Sequence, residues 1–189
     1  MTERIDKIIH FLKEIDKFKE VERKIFLKNR MESDADHSWH LAMFVFLFEK
    51  DFPKGTDILK MLKLVLMHDL VEIYAGDTFV FDEEGNKTKK KREAESAKKL
   101  FSILPKDLEE DFHNLFKEWE EAKTIESKLS HAFDKAQPMI QNILSDGKTW
   151  KTHNINYSRV DNLSKPFFDG NPLTEEIYKK LMKEIKDIF

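Results

Sequence analysis

His68 and Asp69 stand side by side in an apolar stretch, Leu62 to Ile73, that reads LKLVLMHDLVEI. A carboxylate and an imidazole in a buried setting are costly unless a partner or a metal ion compensates them. Other segments supply candidate partners. His37 opens the apolar run HSWHLAMFVFLF on the stripe of Leu41, Phe44, Val45 and Phe48. Asp134 borders the apolar face of Phe133, Ala136 and Ile140. Pro138 has no N–H to give the carbonyl of Asp134, so the helix is disturbed at that residue. Neighbouring residues of a helix project about 100° apart. His68 and Asp69 can therefore share one ion only if it lies between them, with His37 as a third ligand and Asp134 as a fourth. His131, one turn before Asp134, competes for the fourth place. His40, one turn after His37, reads as a packing or supporting residue, and His10 and His113 read as surface residues.

Mixed nitrogen and oxygen donors suit one divalent transition ion (Mn, Co, Fe, Ni or Zn) better than Mg, which prefers oxygen shells. Such an ion lowers the pKa of water and polarises a phosphoryl oxygen. Glu72, one turn beyond His68, is placed to orient or deprotonate a water, or to protonate a leaving alkoxide. Asp77, just past Gly76, is a candidate for positioning substrate or water. Arg23, Lys28 and Arg30, in the segment before His37, are candidate contacts to a phosphate dianion.

The elements that must hold these residues read as helices. The 189 residues are 40% apolar and 37% charged, with five glycines and five prolines, too few for a turn-rich β protein. Helical periodicity predicts elements over 2–18, from near Asp36 to Phe52, from Thr56 or Asp57 to Ala75, and over 90–103, 106–122, 124–146 and 173–189. Ser33, Asp34 and Asp36 are candidate caps for the second, which is apolar on nearly every face and so reads as buried. Residues 19–35 read as a polar, partly helical segment, 77–92 as a loop ending in a solvated basic run, and 150–172 as irregular. No linker or repeat divides the chain, so the expectation is one all-α domain over residues 1–189.

A net charge of −3 gives no footprint for binding a nucleic-acid polymer. The absence of cysteine excludes thiolate metal sites and fits a reducing, cytoplasmic setting. The first segment is amphipathic rather than signal-like, and no run reaches the roughly 20 apolar residues that span a membrane.

The pattern His37…His68-Asp69…Asp134, with the texts RMESDADHS, HDLVEIYAGD and FD at 133–134, resembles the HD-domain metal-dependent phosphohydrolases. The likeness runs from about Ile5 to Leu144 and is strongest to the small single-domain branch that includes the bacterial 5′-deoxynucleotidases. It implies an HD-fold helical bundle with His37, His68, Asp69 and Asp134 as metal ligands. It also implies Glu72 acting on water or leaving group, Asp77 as a positioner, and a homodimer that removes phosphate from deoxynucleoside 5′-monophosphates. Those nucleotidases carry an Arg-Trp pair before the first ligand; this chain has Arg23-Lys24 there, keeping the charge without the aromatic. The expected activity is hydrolysis of a small phosphomonoester such as a nucleotide. The alternatives are an HD phosphodiesterase with another nucleotide substrate, or a non-catalytic metal- or nucleotide-binding module. A dinuclear HD oxygenase ranks below these, since only His113 and His131 lie between Asp69 and Asp134.

Overall fold

A computed structural model describes residues 1–189. The helices are α1 (Thr2–Glu14), α2 (Asp34–Leu47), α3 (Ile58–Met67), α4 (Glu72–Ala75) and α5 (Glu83–Phe101), then α6 (Lys106–Glu121) and α7 (Ile125–Leu144). Three more close the chain: α8 (Lys148–Thr152), α9 (Tyr157–Ser164) and α10 (Pro172–Ile185). The fold is helical as expected, and none of its helices is long and apolar enough to cross a membrane.

Several local readings change. Residues 15–20 tighten into a 3₁₀ turn, so α1 stops short of Phe18. The segment read as polar and partly helical forms a two-stranded antiparallel ribbon, β1 (Glu22–Phe26) and β2 (Met31–Ser33). Its alternation is real but brief: Arg23 and Ile25 turn inward between exposed Glu22 and Lys24. The basic run is not a loop, because α5 begins at Glu83, where the Asp82 side chain accepts from Gly85 N–H. Residues 150–172 contain α9, capped by Asn156.

The start of α2 is fixed by a reciprocal cap. Ser33 Oγ accepts from Asp36 N–H at 3.2 Å, while Asp36 Oδ2 accepts from Ser33 N–H at 2.9 Å. Arg30 also donates to Asp36 at 2.9 Å, and these bonds hold its carboxyl at about 2 against burial. A depressed folded-state pKa means that this stabilisation is full above the ordinary value of 3.8 and fades as pH falls towards 2. Asp36→Ala should therefore cost about 1 kcal/mol at pH 7, a moderate figure because the group is partly exposed. The deficit should shrink in urea titrations repeated between pH 4 and 2.

Two apolar clusters form the interior. Leu41, Val45, Met61, Val65 and Phe133 join α2, α3 and α7, with α10 adding Ile185. Phe11, Phe18, Met67, Val71, Leu100 and Phe101 form the second. α3 belongs to both, so its C-terminal end lies where they meet. The other face of α2 is open, contrary to the expectation of all-round burial: Trp39, Phe46 and Leu47 are 64–69% exposed.

Candidate metal centre

The sequence pattern places His68 and Asp69 inside one helix running to Ala75. The backbone instead breaks there. α3 ends at Met67, and the next bonds, Leu70 N–H to Met67 O and Glu72 N–H to Asp69 O, each span three residues rather than four. This tighter turn swings His68, Asp69 and Glu72 towards a common space. Gly76, at φ +73°, then lets the chain leave α4 sharply towards Asp77.

Four side chains from three segments converge. Asp69 Oδ2 lies 3.0 Å from His68 Nε2 and 3.8 Å from His37 Nε2. Asp134 Oδ1 lies 3.0 Å from His37 Nε2 and 3.7 Å from His68 Nε2. Donors at about 2.1 Å around a transition ion stand roughly 3–4 Å apart, which is the spacing seen.

The hydrogen bonds behind the rings decide what those nitrogens present. Gln137 Nε2 donates to Glu32 Oε1 at 2.5 Å, so its Oε1 faces His37 Nδ1 at 2.8 Å and requires a proton there. His68 Nδ1 faces the Val65 carbonyl at 3.1 Å and must likewise donate. In the neutral rings both Nε2 atoms then carry lone pairs, and both face carboxylate oxygens. A proton on one ring, or a cation between the four groups, makes that arrangement favourable. His68 Nε2, buried, has no aligned hydrogen bond although Asp69 is near. Burial lowers the basicity of His68, but Asp69 and Asp134 outweigh it and raise the ring to about 9. Burial, with Arg23, pulls His37 down to about 4 and keeps it neutral. The donor set thus fits a divalent ion. Replacing Gln137 with leucine frees the His37 tautomer and should weaken Mn or Co binding about 10- to 100-fold by calorimetry.

A second carboxylate group adjoins the first. Ligand atoms of Asp34, Asp69 and Glu72 lie within 4.8 Å of one another. Arg23 serves it: Nη1 is 2.9 Å from Asp69 Oδ2 and 3.3 Å from Asp34 Oδ1, and Nε is 3.2 Å from Glu32 Oε2. Burial, reinforced by Asp69, lifts Asp34 to about 8 against the pull of Arg23. Glu72 is raised well above its usual range by burial and then by Asp69 and Asp34, with Lys89 opposing. Asp77 is also raised, chiefly by burial.

These groups open on a cavity of about 280 Å³ lined by Arg23, His68, Asp69, Glu72, Asp77 and Asp134, among others. His37 is fully buried behind it. Two expected phosphate contacts lie elsewhere. Arg30 is committed to Asp36, and Lys28 is exposed, because the turn of the ribbon points both away from the cavity. Lys24 lines the cavity instead, and so does Lys89. Lys89 Nζ stands 3.5 Å from Glu72 Oε1 and 3.3 Å from Glu93 Oε1. The basic run is therefore not merely a solvated face. Arg92, one turn on, donates to Ala75 O and Thr78 Oγ1 and ties down the segment that bears Asp77.

His131 is not brought to the four donors. Its Nε2 lies 2.9 Å from Trp119 O, and Trp119 is sandwiched between His131 and His68 at centroid distances of 4.1 and 4.2 Å. His40 faces Gln137 at 3.4 Å and packs edge-on against Phe44, away from the four donors. His10 is exposed and His113 half-buried against Phe101. Trp119, Lys89 and Asp34 escaped the sequence reading: Trp119 looks like an ordinary member of a charged amphipathic helix, Lys89 fell in the basic run read as the solvated end of a loop, and Asp34 looked like a cap.

The arrangement defines a class: a helical protein whose two histidines and two aspartates, supported from behind, converge beside a cavity with room for a small molecule. Residues 15–175 match the family model described as HD domain, and the chain belongs to that family. It is similar to a crystal structure described as a predicted metal-dependent phosphohydrolase from Magnetospirillum magnetotacticum MS-1. That likeness is 33% identity with a TM-score of 0.89, covering 98% of this chain and 92% of the other. The bovine and human proteins named 5′-deoxynucleotidase HDDC2 are 28% identical to it over 137 residues, 71% of this chain. The match spans 65% and 66% of their own lengths. An HD-domain phosphohydrolase from Listeria innocua shares the fold at 16% identity, with a TM-score of 0.62.

Proposed function

We propose that this chain is a metal-dependent phosphohydrolase that releases phosphate from a nucleoside 5′-monophosphate, with residues 1–189 working as one HD domain. The observation that carries this reading is the convergence of two imidazole Nε2 atoms and two carboxylate oxygens from three segments at 3.0 to 3.8 Å, a spacing that suits donors around one divalent ion. His37, His68, Asp69 and Asp134 are its ligands. Bound there, a divalent ion supplies a Lewis acid and acidifies water near neutral pH. The similarity to proteins named 5′-deoxynucleotidase supports the nucleotide as substrate.

The surrounding residues divide the remaining work. Lys24 and Lys89 offer cationic donors to the phosphate dianion, and Arg23 reaches the same cavity from its carboxylate partners. Asp77, at the loop edge, orients the water or a sugar hydroxyl. Water oxygen bonds to phosphorus as the ester P–O bond breaks, and the departing alkoxide needs a proton. Glu72, buried and disposed to hold a proton, is the group that delivers it, and the proton released by the attacking water restores Glu72.

A screen for phosphate release from nucleoside monophosphates and sugar phosphates tests this, with Mn, Co, Zn, Mg or EDTA present. Metal-dependent release from a nucleotide supports it. Turnover only on phosphodiesters, or metal retention without turnover, overturns it.

A cytoplasmic homodimer is part of the same reading. The lack of cysteine suits a reducing compartment. Trp39, Phe46, Leu59 and Leu66, exposed on adjoining α2 and α3, suit a subunit contact. Trp39→Lys should shift the protein from dimer to monomer in sedimentation velocity.

A further inference from the structure

The end of the cavity remote from the metal ligands is built from different parts of the chain. Asp134, Pro138 and Asn142 follow one another at four-residue steps on α7 and all line the cavity. That face carries the cavity wall two turns along the helix, roughly 12 Å beyond the ligand Asp134. Around Asn142 the walls become largely apolar: Met139, Trp150, Val160 and Leu163 line this end, with Thr149 and Ser164 beside them. Trp150 and Val160 come from α8 and α9, which contribute nothing to the donor cluster.

Asn142 is 1% exposed, and its Nδ2 donates to the Pro138 carbonyl at 3.0 Å. Its Oδ1 is buried and has no partner. The amide cannot simply be turned over, because Oδ1 would then oppose the carbonyl oxygen of Pro138. A buried amide oxygen without a donor is disfavoured, and such atoms are commonly matched by a ligand or an ordered water. Apolar walls with a single unmet acceptor suit a flat heteroaromatic ring that presents an N–H. The distance from Asp134 suits a molecule with its phosphate at one end and that ring at the other.

We propose that Asn142 is a specificity-determining residue whose Oδ1 accepts a hydrogen bond from an N–H of the substrate's base. This rests on the phosphohydrolase reading above, and it deepens that reading by assigning the base end of the cavity. Loss of a buried acceptor of this kind removes discrimination between a ligand that can donate and one that cannot.

The test compares wild type, Asn142→Leu and Asn142→Asp on deoxynucleoside 5′-monophosphates and on deoxyribose 5-phosphate, which has no base. Leucine matches asparagine in size without an acceptor; aspartate keeps one, and burial favours its protonated form, whose O–H meets the Pro138 carbonyl as the amide N–H does. Wild type should prefer the best nucleotide by tenfold or more in kcat/KM. That ratio should fall about tenfold in Asn142→Leu, through KM rather than kcat, and survive in Asn142→Asp. In parallel, thermal shift with unphosphorylated deoxynucleosides should show stabilisation of wild type that is lost in Asn142→Leu. An unchanged ratio in Asn142→Leu, or no wild-type preference for a base, overturns the proposal. If wild type hydrolyses no monoester, the hydrolase reading fails by itself. The nucleoside shift then decides Asn142 alone, and its absence in wild type overturns the assignment.

Discussion

Asp69→Ala is expected to abolish metal binding and to lower phosphate release by roughly 10³-fold, the scale set by losing several kcal/mol of Lewis-acid stabilisation. The two effects can be separated from misfolding. In EDTA the variant should unfold within about 1 kcal/mol of wild type, inside the range of ordinary substitutions. Asp69 is held ionised next to Asp34 and Glu72, both disfavoured by its charge, so removing it relieves strain as well as costing Arg23 a partner. The contrast should come when metal is added. Wild type at a hundred times its dissociation constant gains about 2.7 kcal/mol of stability, and the variant gains none. A metal-induced rise in melting temperature that persists in Asp69→Ala would remove this residue from the ligand set.

The legibility of this chain varied with how local the physical signal was. Helix α7 was readable because Leu129, Phe133, Ala136 and Ile140 repeat at helical spacing over many residues. The cluster of His37, His68, Asp69 and Asp134 was readable because buried histidine and aspartate in apolar segments are individually expensive. Pro138 does not interrupt α7, which runs unbroken from Ile125 to Leu144, and Asp134 on it is buried at 9% exposure. What escaped depended on tertiary geometry. The break after Met67 has no glycine or proline to announce it; it falls where α3, which spans both clusters, gives way to α4, whose Ile73 and Tyr74 pack on the second alone. The ribbon over 22–33 was hidden by its shortness and its charges. Lys89 and Lys87 are indistinguishable in the run KTKKKR, yet the helical period turns the first to Glu72 and leaves the second with exposed Glu84. Asn142 gave no signal, because an orphaned amide oxygen is visible only when its surroundings are known.

Arg23 carries the largest expected effect on stability. Its side chain is 12% exposed and faces Asp69, Asp34 and Glu32, of which the last two are 0% and 1% exposed. Methionine at position 23 fills similar space but leaves these carboxylates without their cation, a change that costs about 3–5 kcal/mol when buried pairs are broken from one side. For a chain of this length that is a drop in melting temperature of roughly 10 °C. The loss should depend on pH, and its sign follows from Asp34. That group already holds its proton up to about 8 in the folded protein against an ordinary 3.8, so its ionisation opposes folding as pH rises through that interval. Without Arg23 the opposition grows, so Arg23→Met in EDTA should be markedly less stable at pH 8 than at pH 5. Adding Asp34→Asn to Arg23→Met should recover part of the deficit at pH 8 and little at pH 5, since at the lower pH Asp34 is already neutral. If urea denaturation shows the same deficit at both pH values, Arg23 acts by packing and not by balancing the buried carboxylates. A pH-dependent deficit that Asp34→Asn repairs would make this arginine the counter-ion that lets an acidic metal cavity fold before its ion arrives.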